Sequence, residues 1–398
     1  MVAMLVDQDL LQYDAQVTDY WPEFGQNGKG GDNITIADVL RHECGLTNFG
    51  HTFESHDFLT ENIKQNKIGE MIERSETSYP RFNFNPDGSE SKRSYHFQTR
   101  GLVLNEIVRR VDVKGRTIGE ILREDINIDG LFCGLTDKDI TRVSPLESKS
   151  MSWVILNSVI PYFMGSKVDF NIFELYQRKR MLAESLRKTG PQTPLIGSFS
   201  REPHLRHLPY EDDVIRKGEI PSSNCYGNAR GLAKLAATML YNEEHSLIDD
   251  KNDRLLSQKT WQKLHDQAVW SEDAAFGKDE CFCEFLEFYS YITYLVVFLI
   301  YEFIFNILVG IRTCFTQGGI NKFHLPENAT SMEKSILEAR KGYYGWFGFG
   351  GSVMQWHPDL KIGFGYVPTL LHWYDVQGKR GADLQKLAVE IAEKNQQS

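Results

Sequence analysis

From Gly101 onward the apolar residues Val103, Leu104, Ile107, Val108 and Val111 recur at helical spacing, which predicts a helix with one face turned to a core. Lys114-Gly115 stops it, and Thr117 with Glu120 three residues on has the capping-box pattern of a second helix. Tyr95 therefore stands where a loop meets a buried helix. Earlier, Met1–Leu11 reads as the end of a helix, Tyr20–Phe24 turns the chain, and Gly25–Asp32 is a loop. Thr35 can cap a helix that includes Asp38, turns Val39 and Leu40 inward and ends at Gly45, with His42 inside it. Later, Asn228 caps a helix whose inward face is Leu232, Ala233, Leu235, Ala236, Met239 and Leu240, and Ser257–His265 makes another. Ser152–Met164, broken at Pro161, and Asn171–Leu186 are further helical stretches.

From Gly345 the period changes. Gly348–Gln355 leads to a turn at Pro358-Asp359, after which Ile362, Phe364 and Tyr366 alternate on one face, so an antiparallel hairpin is expected. Leu384, Leu387, Ala388, Ile391 and Ala392 form the apolar face of a last helix, expected to pack on that sheet. Tyr289–Ile311 follows neither period. It is almost unbroken in apolar residues and long enough to cross a bilayer, which takes about 20. Glu302 and Asn306 inside it are costly in lipid. Three readings of residues 283–315 stay open: an intrusion such as a translated intron, a hydrophobic surface insertion, or a membrane segment.

The 398 residues are 41% hydrophobic and 25% charged, which suits a globular chain with a large core. A net charge of −10 and a pI of about 5.6 argue against nonspecific nucleic-acid binding. None of the six cysteines falls in a C-x-x-C, so neither a zinc ribbon nor a thioredoxin-like motif is indicated, and scattered cysteines are expected reduced and buried. His204 and His207 lie in a loop without an HExxH, so no metal site is expected. No basic n-region marks a signal peptide, and the compartment is not assigned.

The stretches Ile34–Asn48, Ser94–Asp125, Glu219–Glu243 and Gly345–Val367 occur in an order that resembles the serine β-lactamase and penicillin-binding-protein-like hydrolases, nearest the class C β-lactamases and their esterase and animal relatives. The resemblance spans about Met1 to Ala392, interrupted at residues 283–315. It implies an α/β fold of the β-lactamase/transpeptidase type, an antiparallel sheet flanked by helices with a helical lobe and the site between them. It implies acyl transfer through a serine ester, with no cofactor and a small-molecule or peptide acyl substrate. A membrane is a partner only if Tyr289–Ile311 inserts.

Such chemistry needs an activated serine, a base within reach and backbone N–H groups facing the oxyanion. In the family these come from a Ser-x-x-Lys motif, a Tyr-x-Asn-like motif and a Lys/His-x-Gly strand motif. Tyr95 matches the tyrosine, the shared proton carrier, while Phe97 stands where many members have Asn. Trp346-Phe347-Gly348 matches the third motif at Gly348, with the N–H of Phe349 following. Trp346 brings neither charge nor base and reads first as packing beside a sheet edge. Ser-x-x-Lys occurs at Ser89, Ser185 and Ser331, in a polar loop, at a helix end, and after the tyrosine instead of before it. None suits the family nucleophile, whose place precedes Val2–Asp7, so the chain is expected to be N-terminally truncated and catalytically incomplete. The alternative is a non-catalytic pseudoenzyme that binds a ligand or assembles with a partner. The expected site is Tyr95 as catalytic residue, with Trp346, Gly348 and Phe349 against the substrate.

Overall fold

The computed structural model describes residues 1–51, 53–77, 93–148, 156–157, 164–165, 209–240, 255–273, 312–329, 333–334, 337–348, 350–371, 375 and 378–397. Its strands are β1 (Leu131–Cys133), β2 (Glu147–Ser148), β3 (Cys225–Gly227), β4 (Val269–Glu272), β5 (Arg312–Phe315), β6 (Asn321–Lys322), β7 (Tyr344–Phe347), β8 (Val353–His357), β9 (Ile362–Tyr366) and β10 (Leu370–Leu371). The main sheet runs β4-β5-β6-β7-β8-β9, antiparallel throughout. Strands β1 and β3 pair antiparallel apart from it, and β2 pairs with β10 in parallel.

Side chains on a strand alternate between faces, and β9 shows the consequence. Ile362 and Phe364 join the cluster of Phe323, Leu337 and Tyr343, to which the C-terminal helix Lys379–Gln397 contributes Val389. On the other face Gly363 and Gly365 lie under helix Ala229–Ala237. A Cβ on Gly365 would come within 2.6 Å of the Ala233 nitrogen, so only glycine admits this approach. Helices therefore cover both faces, and the fold is the α/β arrangement expected.

The helical lobe is organised around helix Thr99–Val111, with Leu102, Val103, Ile107 and Val108 buried in one large cluster with Trp21, Phe24, Phe49, Phe53 and Phe58. The expected capping boxes are present. Thr35 caps helix Ile36–Leu40 with Asp38, and Thr117 caps Ile118–Ile121 with Glu120. Asn228 and Ser257 cap helices Ala229–Ala237 and Gln258–His265. Glu219 ties the lobe together, accepting from Thr60 and Thr117 hydroxyls (2.8 Å each) and the Gly119 N–H (3.0 Å). Burial raises its pKa against these bonds.

Four expectations need correction. The helix after Thr35 ends at Leu40 and does not reach Gly45. Its end is a Schellman motif, with Glu43 N–H on Asp38 O (2.8 Å) and His42 N–H on Val39 O (3.3 Å), and His42 takes the left-handed position at φ 64°. His42 is thus outside the helix. Second, Gly348–Gln355 is no continuous strand: Gly348 donates to Ser352 O (2.6 Å), closing a turn between β7 and β8. Third, the C-terminal helix docks through Gly381, Ala382, Gln385 and Val389. Leu384, Leu387 and Ile391 are 48%, 51% and 52% exposed, because small residues allow the closer approach on the other side. Fourth, residues 283–315 do not form one separable segment. Arg312–Phe315 is β5, paired on both sides, with Cys314 and Phe315 buried.

Residues 274–311 lie outside the described residues, Tyr289–Ile311 among them, as do Ser152–Met164 apart from 156–157 and 164, and Asn171–Leu186. Among the described residues, no helix is long and apolar enough to cross a membrane.

Candidate active-site cleft

Tyr95 sits on a loop fixed from several directions before helix Thr99–Val111 begins. The Arg93 side chain is fully buried. It bonds Glu43 through Nε (3.0 Å) and Nη2 (2.5 Å), and donates from Nη1 to the carbonyls of Thr313 (2.7 Å) and Val269 (3.2 Å). A buried guanidinium demands such partners, and these join the loop to β4 and β5. Tyr95 N–H donates to Asp273 Oδ1 (2.8 Å) at the end of β4.

Two buried histidines complete the anchor. Ser94 N–H donates to His42 O (3.0 Å), and His96 N–H to His42 Nδ1 (3.0 Å). An accepting Nδ1 puts the His42 proton on Nε2. Burial, and then the nearby Arg100, His96 and Arg93, hold the His42 pKa well below 6.5. His96 accepts from Leu46 N–H at Nε2 (2.9 Å) and donates from Nδ1 to Ser94 O (2.5 Å). Burial drives its pKa down to about 4, against the Ser94 bond and with the help of Arg100. Both are neutral positioning groups in this geometry.

The Tyr95 ring stacks on Trp346 (centroids 5.7 Å, 18°), and Trp346 stacks in turn on Phe315 (5.4 Å) and Phe347 (5.8 Å). The Arg100 guanidinium stands 5.6 Å from the Trp346 ring centroid and donates to Leu40 O (3.1 Å). Burial raises the Tyr95 pKa, while Arg100 and a hydrogen bond from the Trp346 side chain oppose the rise.

Tyr95, Trp346 and Gly348 border one cleft of about 530 Å³ between the lobe and the sheet. Phe97, Phe132, Tyr226 and Leu371 supply further apolar wall, and Ser222, Ser223, Asn224 and Cys225 a polar side. Gln98 reaches into that side, donating to Ser223 Oγ (3.2 Å). Trp346 is half-buried, serving as both packing and cleft wall. The Gly348 N–H is engaged by Ser352 O, and Phe349 lies outside the described residues. So do Ser89, Ser185 and Ser331, although Glu333, two residues after Ser331, forms a buried ion pair with Arg312 of β5 (2.8 Å). Among the described residues, no group of three or more metal-ligating side chains is assembled.

The sequence reading missed Arg100, Gln98 and the pairing of Cys133 with Cys225. Arg100 follows Tyr95 by five residues on the helix it precedes, and that spacing was its one available signal.

An antiparallel sheet flanked by helices is the fold of β-lactamase and transpeptidase-like proteins. Residues 1–130 match the Beta-lactamase family model. A stretch of 149 residues is 29% identical to the Esterase/beta-lactamase LipL of Mycobacterium tuberculosis (strain ATCC 25618 / H37Rv), covering 37% of this chain and 31% of that protein. The chain thus spans about a third of that relative's length. Three solved structures share the fold. A family VIII carboxylesterase has a TM-score of 0.55 at 17% identity, over 96% of this chain and 79% of that one. A penicillin-binding protein homolog from Caulobacter crescentus has 0.57 at 20%, over 96% and 79%. EstA from Arthrobacter nitroguajacolicus Rue61a has 0.57 at 18%, over 98% and 81%. By these likenesses the chain is similar to the serine β-lactamase and penicillin-binding-protein-like hydrolases, with the family-model match lying on residues 1–130.

Proposed function

We propose that the cleft beside Tyr95 binds an acyl compound, an ester or an amide, and that the chain of this sequence forms no serine ester with it. The observation that carries this is the identity of the cleft serines. Among the described residues they are Ser144, Ser222, Ser223 and Ser352, and the residues three positions on are Glu147, Cys225, Tyr226 and Gln355. None has the lysine one helical turn away that would activate it. Tyr95 keeps the place of the family's proton carrier, Trp346 offers an aromatic wall for an acyl group, and Gly348 follows the end of β7. A second reading, turnover through a serine ester, is favoured by Tyr95 together with the nearby Arg100 charge, which favours a phenolate.

The test combines covalent and reversible readouts. The protein is incubated with a fluorescent penicillin and with a fluorophosphonate, and labelling is followed by gel and peptide mapping. Binding of the same penicillin is followed by quenching of tryptophan fluorescence, with Trp346→Phe as control. Saturable quenching that Trp346→Phe diminishes, without a label, is the expected result. A stoichiometric serine label would establish turnover chemistry instead, and absence of both signals would remove the acyl-ligand reading.

A further inference from the structure

Strands β1 and β3 form one wall of the cleft, and their register sets Cys133 directly opposite Cys225. Opposed residues on antiparallel strands have Cα atoms roughly 4.5 or 5.5 Å apart, depending on whether the pair is hydrogen-bonded. Both spacings lie within the roughly 4.4–6.8 Å that a disulfide spans. Their side chains emerge on the same face of the ladder, so the strand register sets the two thiols side by side. Cys133 is buried and Cys225 is exposed beside the cleft, and both are free thiols in this structure.

We propose that Cys133 and Cys225 are a redox-active pair, joined by an intramolecular disulfide across β1 and β3 through exchange with a low-molecular-weight disulfide such as oxidised glutathione. Exposure makes Cys225 the sulfur that meets the oxidant. Its thiolate attacks one glutathione sulfur and breaks that S–S bond. The product is a mixed disulfide at Cys225, and one reduced glutathione leaves with the proton. The Cys133 sulfur then attacks the Cys225 sulfur, forming the protein disulfide and releasing the second glutathione with the second proton. The contact with Cys225 and then burial hold the Cys133 thiol pKa well above its ordinary value, so Cys133 reacts second, with the mixed disulfide already beside it. The bond would fix the wall carrying Phe132 and Tyr226. The inference rests on strand register and burial and does not depend on acyl chemistry.

The intact protein is treated with oxidised glutathione, blocked with an alkylating agent and digested with trypsin without reduction. The expected product links the peptide Glu124–Lys138 to Gly218–Arg230, with two free thiols lost and regained on adding dithiothreitol. Cys133→Ser should instead hold glutathione on Gly218–Arg230. A wild-type product that stops as a glutathione adduct at Cys225, pairs Cys225 with another cysteine, or leaves both thiols alkylated would overturn the proposal. The wild-type map decides the matter even if the variant does not fold.

Discussion

Acid should weaken this fold through His96 before the carboxylates dominate. His96 is fully buried, and its Nε2 accepts the Leu46 N–H, so a proton there would oppose that N–H directly. Its pKa falls from 6.5 unfolded to about 4 folded, burial being the largest cause. Between those values the unfolded chain binds more protons than the folded one, so stability rises with pH. The contribution is therefore complete above 6.5 and is lost as pH falls toward 4. Going from about pH 7.5 to about pH 4.5, the linkage amounts to about 2.5 kcal/mol. His42, shifted the same way, adds to it.

Urea unfolding followed by tryptophan fluorescence at a series of pH values measures this for the wild type and for His96→Gln. Glutamine keeps an acceptor near Leu46 and cannot titrate. The variant should start less stable near neutrality and lose about 2.5 kcal/mol less than the wild type across the interval. His42 and the carboxylates contribute to both curves and largely cancel in the difference. If the two curves run parallel, His96 is not held neutral by the fold, and the anchoring of the Tyr95 loop described above is wrong.

Gly365→Ala should cost about 3 kcal/mol in the same assay, since its Cβ would press on the backbone of helix Ala229–Ala237; a loss below about 1 kcal/mol would mean the helix yields easily. Trp346→Ala should cost about 3 kcal/mol by removing the ring shared by Tyr95, Phe315 and Phe347, and an unchanged midpoint would refute that packing. Replacing residues 274–311 by Asn-Gly should raise soluble yield and preserve the fold, because Glu272 and Arg312 are register partners and a three-residue loop with glycine last closes such a hairpin. Precipitation of the shortened chain while the full chain stays soluble would show that the segment is core.

Local signals carried most of the helical lobe. The caps at Thr35, Thr117, Asn228 and Ser257 depend on residues within one turn, and each is where the sequence places it. The errors come where a distant partner decides. Leu384, Leu387 and Ile391 have ideal spacing for a buried face, yet Gly381 and Ala382 allow the closer approach to the sheet. The end of the apolar segment could not be set from texture alone, because Arg312–Phe315 is held by pairing with β4 and by Arg93, over 200 positions away in the chain. Cys133 and Cys225 are separated by 92 positions, and only the strand register brings them together.

Arg100 shows why a missing motif residue and a missing charge are different things. The resemblance puts Trp346 where a lysine or histidine is expected, and by position alone that place carries no cation. In three dimensions a cation stands over the Trp346 ring, carried on the helix that follows Tyr95. The replacement is only partial in chemical terms. A guanidinium stays protonated, so it can favour a phenolate at Tyr95 or attract an acyl carboxylate but cannot take up a proton as lysine or histidine can. Burial lowers the Arg100 pKa, with Tyr95 opposing, but from a starting point so high that the charge persists near neutrality. If the cleft binds an acyl anion as proposed, the Arg100 charge acts on it through the Trp346 wall over which it stands. On that argument Arg100→Leu should weaken penicillin binding several-fold while leaving covalent labelling as absent as in the wild type.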